Sequence, residues 1–135
     1  MKRILVCFDG SEGAEKALNK AITLMDDDGE LLLLAVVPAP SDRTLVDANV
    51  YAMLKKKAHN LIQQVIDDIG MHSFEIWGVV EEGDIAAKII DVANREKCEL
   101  IMLGSKGSST LGQYPIGSVA NKVVQYAHKP VMVVR

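Results

Sequence analysis

Four residues carry the strongest chemical signal in the chain: Gly104, Gly107, Gly117 and Ser118. Gly104-Ser105-Lys106-Gly107 is separated by nine residues from Gly117-Ser118. The first group follows the apolar run Leu100-Ile101-Met102-Leu103, and the second opens a helix-like segment over residues 119–127. A strand, a glycine-rich loop and a helix start are the parts of a phosphate site. Glycine lets backbone N–H groups approach an anion without a Cβ in the way. A helix N-terminus adds orphan N–H donors and the positive end of a dipole. The N–H groups around Gly107 and Gly117-Ser118 are therefore candidate phosphate ligands, with the Ser118 hydroxyl as a further donor. Lys106 pairs with phosphate or points to water. Hydrogen bonds to charged groups are worth roughly 1.5–3 kcal/mol each. A few of them, with burial of a base, reach the about -8 kcal/mol of micromolar binding. Taken singly, each glycine is a turn residue or a helix start; the combined spacing is the signal.

A second loop could form the opposite wall. Asp9-Gly10-Ser11 ends the first apolar run. Asp9 could accept hydrogen bonds from ribose hydroxyls or face a metal ion carried by phosphates. As an isolated residue it is an N-cap or turn former. Other nucleotide motifs are missing. There is no G-x-x-x-x-G-K-[ST] and no G-x-G-x-x-G after the first strand. A phosphoacceptor receiver domain needs an Asp after strand three, where this chain has Val80-Glu81-Glu82. His59, His72 and His128 are scattered and none pairs with a nucleophile, so no catalytic set is evident.

The elements that must position these loops alternate along the chain. Residues 4–8, 31–37 and 100–103 are continuous apolar runs, as expected of strands buried on both faces. Residues 74–80 alternate more and contain Gly78, which fits a sheet edge. Residues 130–134 form a fifth strand. Between them, helical spacing places Ala14, Ala17, Leu18, Ala21, Ile22 and Met25 on one stripe, with Ser11 as N-cap. A long amphipathic helix covers residues 47–69. A third uses Ile85, Ile89, Val92 and Ala93, with Asp84 as N-cap after a turn at Glu82-Gly83. A fourth uses Val119, Val123, Val124 and Ala127. The order βαβαβαβαβ implies a parallel sheet with helices on both faces. In such sheets ligands bind beyond the C-terminal strand ends, where the winding reverses. If strands one and four are neighbours, the two loops flank that point.

At 135 residues, the length and a 49% hydrophobic composition fit one domain spanning residues 1–135. A formal net charge of -3 argues against a nucleic-acid binder held by phosphate contacts. Lys55-Lys56-Lys57 reads as the solvated face of a helix, and Asp26-Asp27-Asp28 as an acidic turn rather than a metal site. Cys7 and Cys98 lack a C-x-x-C spacing, which disfavours a zinc site or redox pair. No apolar run is long enough to span a membrane. The N-terminal segment lacks the pattern of a signal peptide. A cytoplasmic location with free thiols is expected.

The chain resembles the universal stress protein (UspA-like) family, in its single-domain, ATP-binding type. The family signature, G-x-x-G, nine residues, G-[ST], is met by Gly104, Gly107, Gly117 and Ser118. The likeness extends over the whole chain. It takes in the strand-Asp-Gly-Ser opening of residues 4–11, Gly83-Asp84, Leu100 to Ser105, and Lys129 to Val134. The resemblance implies a three-layer sandwich of the adenine nucleotide alpha hydrolase type, with a five-stranded parallel sheet of order 3-2-1-4-5. It implies ATP, with Mg2+ or Mn2+ as accompanying ion. Adenine would lie near Asp9 and Val36. Leu103, Gly104, Lys106 and Gly107 would line ribose and phosphates, and Gly117, Ser118 and Val119 would take the terminal phosphates. It also implies a homodimer through residues 131–134. An apolar edge strand independently motivates self-pairing. Residues 38–49 match no clear family pattern.

Three functions are open on these residues. The first is an ATP-binding regulatory or stress-response protein, the second a slow metal-dependent ATPase with Asp9 placing metal or water, and the third a dimeric interaction module without nucleotide. AMP or a cyclic nucleotide could use much of the same site.

Overall fold

The apolar runs do form the central strands of one parallel sheet. In the computed structural model, which describes residues 1–38, 48–105 and 117–135, β1 spans Arg3–Cys7, β2 Glu30–Pro38, β3 Glu75–Gly83, β4 Leu100–Gly104 and β5 Val131–Val134. The helices are α1 Glu12–Leu24, α2 Ala48–Ile69, α3 Ile85–Arg95 and α4 Ser118–Tyr126. The sheet order is β3-β2-β1-β4-β5, every pair parallel. The chain winds outward from β1 through β2 to β3, then returns to β4 on the other side of β1. The reversal therefore falls between the C-terminal ends of β1 and β4.

Two apolar clusters fill the layers on either side of the sheet. Ile4, Val6, Leu31, Leu33, Leu100 and Met102 point to α1 and α2. Leu5, Leu32, Leu34, Ile101 and Leu103 point to α3 and α4. Alternate residues of each central strand thus enter opposite layers, which is why these strands read as unbroken apolar runs.

Local signals set the helix starts. Ser11 Oγ accepts from the Ala14 N–H at 3.1 Å, and an Asp84 carboxylate oxygen accepts from the Ala87 N–H at 3.0 Å. Both are side-chain caps of the expected kind. The turn expected at Glu82-Gly83 is instead the end of β3, which pairs with β2 without interruption up to Pro38↔Gly83. Tertiary contacts hold it extended: Lys55 Nζ lies 2.9 Å from Glu82 Oε1, and the Tyr51 hydroxyl donates to Glu82 Oε2 at 2.9 Å. β3 is an edge strand, as its alternation implies. A Cβ added at Gly78 would lie 2.5 Å from Ile62 Cγ2, so α2 packs directly on that residue.

Candidate functional site

The C-terminal ends of β1, β2 and β4 and the N-terminus of α4 come together at the winding reversal. The β1–β2 register pairs Cys7 with Leu34, and the Phe8 N–H donates to the Leu34 carbonyl at 2.8 Å. Continued by two residues, that register brings Asp9 level with Val36. The β1–β4 register pairs Val6 with Met102, so Leu103 and Gly104 end beside Cys7 and Phe8. Cys7, Val36 and Val119 are partly buried and pack on the cluster that contains Leu103. They make an apolar floor at the mouth of the crevice.

Asp9 is exposed, and one carboxylate oxygen accepts from the Ser11 N–H at 2.9 Å. The turn role open to this residue is thus realised, at a position that also faces the crevice. Gly104 makes the tightest backbone approach. A Cβ there would lie 2.5–2.8 Å from the carbonyl carbon, oxygen and Cα of Gly13. The end of β4 rests on the first turn of α1, and only glycine fits.

The N-terminus of α4 differs from those of α1 and α3. Its cap is Gly117, which has no side chain to take the first-turn N–H groups, and no other side-chain oxygen among the described residues takes them. The Gly117 N–H itself donates to the Ser105 carbonyl at 2.5 Å. Of the N–H groups around Gly117-Ser118, that one is therefore already taken. The available donors are those of Ser118, Val119 and Ala120, which have no acceptor among the described residues. Ser118 is exposed at the same helix start. Four N–H groups at a helix start need acceptors from outside the helix, and an anion satisfies them well.

Ser105 joins the site without a signal of its own in the sequence. It is buried, its N–H donates to the Val134 carbonyl at 2.8 Å, and its carbonyl receives Gly117. One residue thus ties the ends of β4 and β5 to the start of α4. Nothing in the residue type signals this; only its place directly after Gly104 does. Lys106 and Gly107 lie outside the described residues.

The chemistry of the remaining groups is limited. Burial pushes the Cys7 thiol up to about 12, with the Asp9 charge adding to the effect. Burial likewise pushes Cys98 up to about 11. Both stay protonated at neutral pH and are poor nucleophiles. Among the described residues, no three His, Cys, Asp or Glu side chains converge as a metal site. No helix among them is long and apolar enough to cross a membrane.

The family model described as the Universal stress protein family matches residues 1–135. The chain belongs to the universal stress protein family. It is 30% identical over 148 aligned residues to the universal stress protein MJ0531 of Methanocaldococcus jannaschii, covering 99% of this chain and 82% of that protein. Among solved structures, the universal stress protein UspA from Lactobacillus plantarum shares the fold with a TM-score of 0.86 at 24% identity, over 99% of this chain and 97% of that one. Two universal stress proteins of the same fold were solved as complexes. One holds cAMP (TM-score 0.61, 19% identity, 99% of this chain and 96% of that one). The other, from Archaeoglobus fulgidus, holds dAMP (TM-score 0.65, 20% identity, 100% and 98%).

Proposed function

We infer that this universal stress protein binds an adenine nucleotide, ATP foremost, and acts as a nucleotide-dependent regulator in a cytoplasmic stress response. The observation that carries this reading is the start of α4, which lacks a side-chain cap and lies at the winding reversal. The cAMP and dAMP complexes support it as instances of adenine nucleotides held by proteins of this fold.

In this reading the base lies over the apolar floor near Asp9 and Val36. Leu103 and Gly104 line the ribose and first phosphates, together with Lys106 and Gly107. Ser118 and Val119 take the terminal phosphates through their N–H groups, and Gly117, with no side chain, leaves room for them. An Mg2+ or Mn2+ ion would be carried by the phosphates, with Asp9 facing it, because no protein-only ligand set is present among the described residues. The chain's own contribution is binding and orientation, through backbone donors and a helix dipole. Two copies pair through Val131–Val134.

The test starts with the purified protein, which is denatured so that any co-purifying nucleotide can be identified. Calorimetric titration with ATP then measures affinity, and ADP release measures turnover. Gly117 has φ -67° and ψ 162°, a conformation open to any residue, so Gly117→Val keeps the backbone while crowding the donors. Losing about two charged hydrogen bonds, about 3 kcal/mol or more, predicts ATP binding weaker by at least roughly a hundredfold. Unchanged affinity in the variant, or no binding by the parent chain at millimolar ATP, overturns the reading. ADP release far above background would make the protein an ATPase.

A further inference from the structure

We propose that the free edge of β3 is a docking strand for an extended peptide segment of a partner protein, one that places an arginine or lysine opposite Glu75 and Trp77. The Glu75 N–H donates inward to the Gly29 carbonyl at 2.9 Å. Alternate residues of β3 therefore bond to β2, and those between them turn outward. Ile76, Gly78, Val80 and Glu82 thus present their N–H and C=O groups to the open edge, and none has a backbone partner among the described residues. Nine consecutive register pairs run from Glu75 to Gly83, with no proline within β3 to blunt the edge. Such an edge is a template for strand addition.

The side chains beside this edge specify the occupant. The aligned residues Arg3, Glu30 and Glu75 form a row across β1, β2 and β3 on one face of the sheet. Arg3 pairs with Glu30 at 2.6 Å, while Glu75 is exposed and makes no ion pair among the described residues. Arg3 thus serves Glu30 alone, and Glu75 stands beside a second carboxylate, a like-charge neighbour that disfavours the isolated edge. An added strand, about 4.8 Å beyond β3, would put its own side chain next in the row. A cation there completes the alternation. Two residues along and on the same face, Trp77 is 54% exposed. An indole beside a carboxylate is a good receiver for a guanidinium or ammonium, through its ring face and the ion pair together.

Trp77 is the chain's only tryptophan, so its emission reports this edge alone. A displayed library of random short peptides is selected on the intact protein, and the selected peptides are titrated while Trp77 emission is followed. Enrichment of arginine or lysine among alternating β-branched residues is expected, with an emission shift on binding. The charge-reversed Glu75→Lys should bind these peptides about tenfold more weakly, from the lost ion pair and the new repulsion. It removes a like-charge contact, so it should fold; Glu75→Gln is the milder companion, with a smaller loss in the same direction. Methylating the peptide amides that face β3 should abolish binding, while methylating the alternate set should not. Four outcomes overturn the proposal: no enrichment, enrichment without basic residues, equal affinity for Glu75→Lys, or indifference to which amides are methylated. Trp77 emission that changes with protein concentration alone would also overturn it, assigning the edge to a second copy.

Discussion

Gly104 is held by contact with another backbone before any ligand is considered. A methyl group there would lie 2.5–2.8 Å from Gly13, with backbone atoms on the far side and no flexible side chain to yield. Gly104→Ala should therefore destabilise the fold by about 1–3 kcal/mol, the usual cost of overpacking. The check is a urea transition with a lowered midpoint and an unchanged slope. A midpoint equal to that of the parent chain would mean that α1 and β4 separate freely. In the sequence, Gly104 was legible as a glycine with a purpose, but its partner was not. The spacing pointed to an anion, whereas the nearest constraint is a helix–strand contact between residues ninety-one positions apart. Asp9 has the same double character. Its turn role depends on Ser11, two residues away, and could be read locally; its position at the crevice needed β1, β2 and β4 in register.

Of α1, α3 and α4, whose cap residues are described, α4 is the one without a side-chain cap at its start. Ser11 and Asp84 cap α1 and α3, and both caps were readable because capping is set by the residue and the next few positions. The end of β3 was not readable, because Glu82-Gly83 is locally turn-like and is held straight by Lys55, Tyr51 and the pairing to β2. The contrast at α4 gives a prediction of opposite signs. Gly117 already has the extended conformation of a cap residue, so Gly117→Asp supplies the missing side-chain acceptor and a negative charge at the positive end of the helix. The variant should gain up to about 1 kcal/mol, roughly 3 °C in melting temperature. It should lose ATP binding, because its carboxylate takes the first-turn donors and repels phosphate. Thermal melting with and without ATP measures both effects. Higher intrinsic stability with ATP binding intact would remove α4 from the site.

For the molecule as a whole, the open question is how a five-stranded sheet manages two edges. β5 is the shorter edge: four residues, all partly buried and all apolar. The Ile101 N–H donates to the Pro130 carbonyl and the Ser105 N–H to the Val134 carbonyl, so the even-numbered positions face β4. Val131 and Val133 accordingly turn their backbone groups outward. An apolar edge of this kind, with no charge within it, favours pairing with its own copy around a two-fold axis. Ultracentrifugation should then give the mass of two chains. Val133→Pro removes an outward N–H and puts a ring on the edge while leaving the inward carbonyls of Pro130 and Val134 in place. It should shift the mass to one chain without loss of helical circular dichroism, and Val133→Ala should remain a dimer. A monomer at every concentration, or a Val133→Pro variant that still dimerises, would rule out β5 as the contact. The two edges also separate in charge: β3 carries Glu75, Glu81 and Glu82, whereas β5 carries no charge. Self-pairing through β3 would set carboxylates against carboxylates, so a dimer closed through β5 leaves β3 open for a basic partner on each copy.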